Sequence, residues 1–159
     1  MTHEIDWTVI AQQLAAPFDP DDVDWRPSGK AGANQRTSLV AYVDARVIQN
    51  RLDDVVGVGG WSFDWTPVVV EGGDVKVAKG TLVIYGVSKS DVGTASNWEA
   101  SKGAASDALK RAAVMFSCGR YLYSLPAVTV ALDTQGHVPE ETLAQIRKRL
   151  AARMIAPAA

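Results

Sequence analysis

The stretch Trp61–Val87, WSFDWTPVVVEGGDVKVAKGTLVIYGV, limits what this chain can become more than any other segment. Trp61, Phe63 and Trp65 alternate with Ser62, Asp64 and Thr66, the two-residue period of a strand with one apolar face. Glu71-Gly72-Gly73-Asp74 follows, a turn sequence between two β-prone runs and so a hairpin signal. Val75–Val87 reads as the return strand, with a bulge expected at Gly80.

The flanking segments read as helices and one short strand. Trp7, Ile10 and Leu14 have helical spacing within residues 5–16, and Asp6 precedes them as an N-cap. Pro17, Pro20 and Pro27, with glycine and serine after them, make 17–36 a loop-rich connector. Leu39–Val43 is short and β-prone. Asp44 then caps a helix over 45–56, with Val47, Ile48, Leu52, Val55 and Val56 on one stripe. Residues 88–96 read as a polar loop, and Ser96 or Asn97 caps a helix from Trp98 to Cys118 that Gly119 stops. Pro139–Met154 is a charged terminal helix. Helix, strand, helix, hairpin, helix, helix is an α+β order with an antiparallel sheet. We divide it into an N-terminal helix (1–16), a core (17–126) and a helical extension (127–159).

Several function classes drop out. GKAGANQRTS lacks phosphate-loop spacing and a preceding strand, and the GVGG after the 45–56 helix follows a helix, so neither carries a nucleotide-binding reading. His3 and His137 have no metal-ligand partner at helical spacing. Cys118 ends an apolar helix, the setting of an inert buried thiol. Asp21, Asp22 and Asp24 sit in a proline-rich loop without a convergent cluster, so a metal-dependent nuclease is the weakest alternative. We expect no catalytic residue, no metal and no cofactor. No apolar run reaches the roughly 18–20 residues of a membrane span, and the first residues lack the pattern of a secretory signal. A single cysteine allows no internal disulfide, and the expected location is cytoplasmic.

The net charge of −2 conceals an uneven distribution. Residues 1–24 hold six acids and no Lys or Arg, leaving 16 basic against 12 acidic residues, or +4, in 25–159. Such a body permits a polyanion partner.

The charge is most pointed in SDALKRAAVMFSCGRYLY, Ser106–Tyr123. On a helical wheel Trp98, Ala105, Leu109, Ala112 and Phe116 fall within about 40° of one direction, the packing face. Lys110 and Arg111 lie at about 120° and 220° from it, with Asp107 between them at about 180°. Asp107 is expected to orient the pair, and Ala100, Gly103 and Ala104 to give the outer side room for a close partner. Tyr121 and Tyr123 alternate, so packing is expected for at least one of them. The basic run Arg147–Arg153 reads as a solvated helix face.

SDALKRAAVMFSCGRYLY resembles the Rad-fifty-two family of single-strand annealing proteins, especially its short bacterial and phage branch, the DdrA-like DNA-damage-response proteins. DARVIQNRLDDVVGVGGWSFDW is similar to that family's helix, glycine turn and first hairpin strand; SKSDVGTA and APFDPDDVDWRP match further segments, and coverage is roughly 16–126. The resemblance implies a β-hairpin or small meander packed on helices, assembled with copies of itself into a ring. It also implies single-stranded DNA held in a basic groove, phosphates inward and bases exposed. On that resemblance Lys110 and Arg111 are the adjacent groove-lining cations, Arg46 and Lys102 face the phosphates beside them, and Lys76 and Lys79 line the rim. The chain departs from the pattern at Val114, where relatives carry a third cation, and at Val58, where they carry an aromatic residue in the glycine turn.

The implied function is binding of single-stranded DNA and ATP-independent annealing of complementary strands in double-strand break repair and recombination, on the nucleoid. The alternative is protection of DNA 3′ ends without annealing. The chain shows no long tail of the kind larger relatives use to bind a recombinase or a single-strand-binding protein, which argues against such partners.

Overall fold

The computed structural model describes residues 4–32, 34–95 and 100–155, with side chains for all of these except 100–102 and 154–155. Along the chain run α1 (Trp7–Ala15), a 3-10 turn (Pro20–Asp22), β1 (Asp24–Pro27), β2 (Arg36–Tyr42), α2 (Ala45–Val56), β3 (Trp61–Glu71), β4 (Asp74–Ile84), β5 (Val87–Thr94), α3 (Ala100–Met115), a second 3-10 turn (Arg120–Ser124), β6 (Val128–Ala131) and α4 (Glu140–Ile155). This is the expected α+β class, with two antiparallel sheets ordered β1-β2-β6 and β3-β4-β5. The chain divides into two units, Met1–Ala16 with Ala45–Arg120, and Pro17–Asp44 with Tyr121–Ala159.

In the first unit the long hairpin forms as its sequence implies, from Trp61 opposite Ile84 to Glu71 opposite Asp74. Gly72 and Gly73 both take positive φ, 59° and 85°, the two-residue turn whose twist suits the flanking strands. The return segment is two strands, not one. Tyr85 and Gly86, at φ 46° and 80°, make a second tight turn, and Val87–Thr94 pairs with β4 where a polar loop was expected. The turn escapes a sequence reading because Tyr85 is not a turn residue. Its hydroxyl donates to the Val56 carbonyl at 2.8 Å, and its N–H to the Gly60 carbonyl at 2.9 Å, which hold the left-handed backbone in place. The bulge lies between Pro67 and Val70, not at Gly80, because Pro67 has no N–H to give the ladder.

α3 packs across β4 and β5. Ala78, Gly80, Leu82 and Ile84 of β4 face it, while Lys79 between them is exposed on the other side. A Cβ on Gly80 would stand 2.7 Å from Phe63 and 2.8 Å from the Ala108 Cβ. A Cβ on Gly93 would strike the α3 backbone at Ala104 and Ala108, with the Ala108 Cα at 2.8 Å. Ala104 and Ala108 are fully buried. This corrects the expectation for Ala104: small residues here seat the helix on the sheet, and do not open its outer side. Leu109, Ala112 and Phe116 are buried as expected. The cap at Ser96 or Asn97 and the start at Trp98 lie outside the described residues, as does the side chain of Ala100.

The far end of α3 closes one turn earlier than Gly119. Ser117, at φ 70°, donates to the Val114 carbonyl at 3.0 Å and Cys118 to the Ala113 carbonyl at 3.1 Å, the paired bonds of a left-handed C-cap. Arg120 donates from Nη2 to the Val114 carbonyl at 2.8 Å, and Lys89 Nζ to the Met115 carbonyl at 2.7 Å. These cations complement the negative end of the helix dipole. Asp6 caps α1 by accepting from the N–H groups of Thr8 (2.9 Å) and Val9 (3.2 Å). Arg51 on α2 closes the other end of α1 through the Gln13 (3.0 Å) and Ala16 (2.6 Å) carbonyls.

In the second unit, Leu39, Val130 and Ile146 form a core, with Trp25, Val128, Val138 and Leu143 packed against it. β1 lies inside the segment expected to be a connector; DWRP is too short and polar for a period-two signal, and its pairing with β2 supplies the order. β6 forms where no strand was expected, paired along Arg36–Leu39. Arg147 joins Asp24 and Glu140 at 3.4 Å each. Tyr121 packs as expected: the Phe18 N–H donates to its hydroxyl at 3.1 Å, with ring centroids 6.1 Å apart. Tyr123 is exposed.

Candidate nucleic-acid interface

Many of the cations are committed to the fold. Arg51 holds the end of α1, Arg120 and Lys89 hold the end of α3, and Arg147 bridges two acids. Lys89 also stands 4.6 Å above the Phe116 ring. What distinguishes α3 is that its two cations are adjacent in sequence, Arg111 exposed and Lys110 half-buried, with Arg111 on the flank that borders β5.

Leu109, Ala112 and Ala113 are buried, whereas Arg111 is exposed and Asp107, Lys110 and Val114 are half-buried. The wheel therefore separated Leu109 and Ala112 from the charged residues, while the buried face extends further than it implied, to Ala104 and Ala108 on the β5 side. The Arg111 Nε lies 3.5 Å from the Asp91 Oδ2 on β5. The Asp107 Oδ2 accepts from the Thr94 N–H at 3.1 Å, which ties α3 to the end of β5. Asp91 and Lys89 are the residues that sequence reading missed. Both stand on the α3 side of β5, where a polar strand looked like a loop.

The remaining sequence-derived cations do not all share this face. Arg46 is exposed on α2. Lys76 sits near the β3–β4 turn with Nζ 3.5 Å from Asp74 Oδ2. Lys79 points away from α3, on the opposite face of the sheet, so it and the Lys110–Arg111 pair are directed to different surfaces. The side chain of Lys102 lies outside the described residues. Val58, in the glycine turn between α2 and β3, is 80% exposed. Trp61 is pinned behind that turn, its Nε1 donating to Asp53 Oδ1 at 2.7 Å.

No three His, Cys, Asp or Glu side chains converge on a metal-sized site among the described residues. Asp19 spends a carboxylate oxygen on the Asp21 N–H at 2.9 Å. His137 closes a loop through its N–H to Asp133 Oδ1 at 2.8 Å, and His3 lies outside the described residues. No helix of the described residues is long and apolar enough to cross a membrane.

Residues 6–139 match the model of the Rad52/22 family of double-strand break repair proteins. The chain belongs to this family. The match takes in both sheets and α3, and α4 begins at Glu140, just past it. Among family relatives, the single-stranded DNA-binding protein DdrA of Deinococcus radiodurans is 44% identical over 119 residues, covering 74% of this chain and 56% of the relative. The protein of the same name from Deinococcus deserti is 43% identical over 132 residues, 82% of this chain and 64% of the relative. The chain thus spans less than two thirds of the length of these relatives.

Proposed function

We propose that this protein binds single-stranded DNA along the outer face of α3 and anneals complementary strands without ATP, in repair and recombination of broken DNA. The observation that carries the reading is the adjacency of Lys110 and Arg111 on α3, both reaching solvent, in a chain of the Rad52/22 family. The names of the two DdrA relatives support the choice of ligand. Strands repel through their phosphates. A protein that neutralises one backbone and leaves base edges free lowers that barrier with no covalent step. Arg111 offers a planar fork to phosphate and Lys110 a point charge. Arg46 and Lys102 extend the contact; Lys76 and Lys79 serve a rim or a neighbouring copy. The protein acts on the nucleoid, in the cytoplasm, as a binding protein and not as an enzyme.

Self-association into a ring completes the proposal. Two contacts per subunit are weak, and a closed array multiplies them. β3 is an edge strand of eleven residues, and Trp65, Val68, Val69 and Val70 on it are exposed. β5 is the other edge, with Val87 and Val92 exposed. Such edges template pairing with another chain, and pairing β3 of one copy with β5 of the next is a head-to-tail contact that can close.

The test is Lys110→Ala with Arg111→Ala. The variant is expected to keep its melting temperature and oligomeric mass, and to lose at least about tenfold in affinity for a labelled oligonucleotide. Normal binding by that variant would remove the groove assignment. Annealing of complementary labelled strands, followed by fluorescence transfer, separates this reading from end protection alone.

A further inference from the structure

We propose that the groove between β1, β6 and α4 in the second unit is a docking site for an acidic peptide that presents one large apolar side chain. The groove has a volume of about 220 Å³. That is below the roughly 300–1,000 Å³ of ordinary small-molecule sites, and suits one or two side chains. Its walls are saturated carbon: Leu125, Pro126, Val128, Ile146 and Leu150, with Trp25 as the single aromatic. Arg149 and Arg153, one turn apart on α4, border it, and no acid lines it. Both arginines are exposed. The Trp25 Nε1 is buried and has no hydrogen-bond partner in this arrangement, and a buried donor left so costs about 1–3 kcal/mol.

Apolar walls and a cationic border call for a ligand with the reverse pattern: an apolar anchor with carboxylates beside it. Nucleic acid fits less well. A base wants flat aromatic faces to stack on, and a phosphate backbone wants cations in a line along an open track. Here two guanidinium groups edge an aliphatic pit. Its cationic border, Arg149 and Arg153, is on α4, away from the Lys110–Arg111 pair in sequence and beyond the family match, so the inference does not depend on the strand-binding reading.

Fluorescence anisotropy of the full chain with fluorescein-labelled Glu-Asp-Glu-Glu-Leu-Phe tests it. Saturable binding is expected. It should weaken about tenfold when the peptide's Phe is replaced by Ser, and about tenfold when its acids become amides. Arg149→Glu with Arg153→Glu should weaken it to a similar extent without moving the melting temperature or oligonucleotide affinity. The peptide changes need no altered protein, so a variant that folds poorly leaves the test intact. No binding by the unaltered chain overturns the proposal, as does equal affinity for the Ser peptide. Displacement of the peptide by an oligonucleotide would assign the groove to DNA, and a change of oligomeric mass in the double variant would assign it to a second copy; either result overturns the peptide.

Discussion

The Arg111 Nε and the Asp91 Oδ2 stand 3.5 Å apart, joining α3 to the edge strand β5 at a place where both side chains still meet solvent. An exposed pair of this kind contributes at most about 1 kcal/mol to folding, so a phosphate can displace the carboxylate at little cost. Asp91→Asn should therefore leave the melting temperature nearly unchanged and raise oligonucleotide affinity about two- to fivefold at low salt, with the gain fading as salt rises. Anisotropy titrations over a salt series give the answer. No gain at low salt would count against Arg111 as a phosphate contact.

Val114 lies one turn beyond Lys110, half-buried on the same side of α3. Val114→Lys should add one contact to the strand. The slope of log affinity against log salt should steepen by about 0.7, the increment per phosphate for single strands. An unchanged slope would mean that the strand does not reach this turn.

Gly93 meets the α3 backbone so closely that Gly93→Ala must push helix and strand apart. A loss of at least about 3 kcal/mol is expected in urea unfolding. Gly80→Ala should cost less, about 1–3 kcal/mol, because the ring of Phe63 can yield where a backbone cannot. Equal costs would show that the helix is free to shift.

Burial pushes the Cys118 thiol up from 9.0 to about 12, with Arg51 pulling weakly the other way. Because the folded value is raised, the unfolded chain loses this proton first. Stability is intact below pH 9 and falls between 9 and about 12, by up to about 1.4 kcal/mol per pH unit. Cys118→Ala should flatten that alkaline slope. A thiol reagent at neutral pH should label Cys118 only at the rate of unfolding.

The parts of the fold legible in the sequence are those whose signals are local. Asp6 with its helix, the 45–56 stripe and the Gly72-Gly73 turn each declare themselves within a few residues, and all three are found. β1, β5 and β6 carry no such signal. They are short or polar, and their order comes from partners distant in sequence, such as Arg36 opposite Ala131. The turn at Tyr85 was hidden because a tertiary hydrogen bond, not a turn residue, sustains it. At the candidate interface, the wheel separated Lys110 and Arg111 from Leu109 and Ala112, since helical period alone decides that. It misjudged Ala104, because an alanine packed on a glycine in another strand looks the same in sequence as an alanine in solvent.

The two units are woven from alternating pieces of one chain, with crossings after Ala16, Asp44 and Arg120. As the chain is synthesised, Leu39 on β2 must wait for Val130 and Ile146, the last of its core partners to emerge. A fragment stopped near residue 126 would carry the first unit whole and leave β1 and β2 as a bare hairpin with its apolar side open to water. Nothing here can be cut out as one continuous length, so changes at the C-terminal helix are felt by strands laid down more than a hundred residues earlier, as Arg147 and Asp24 already record.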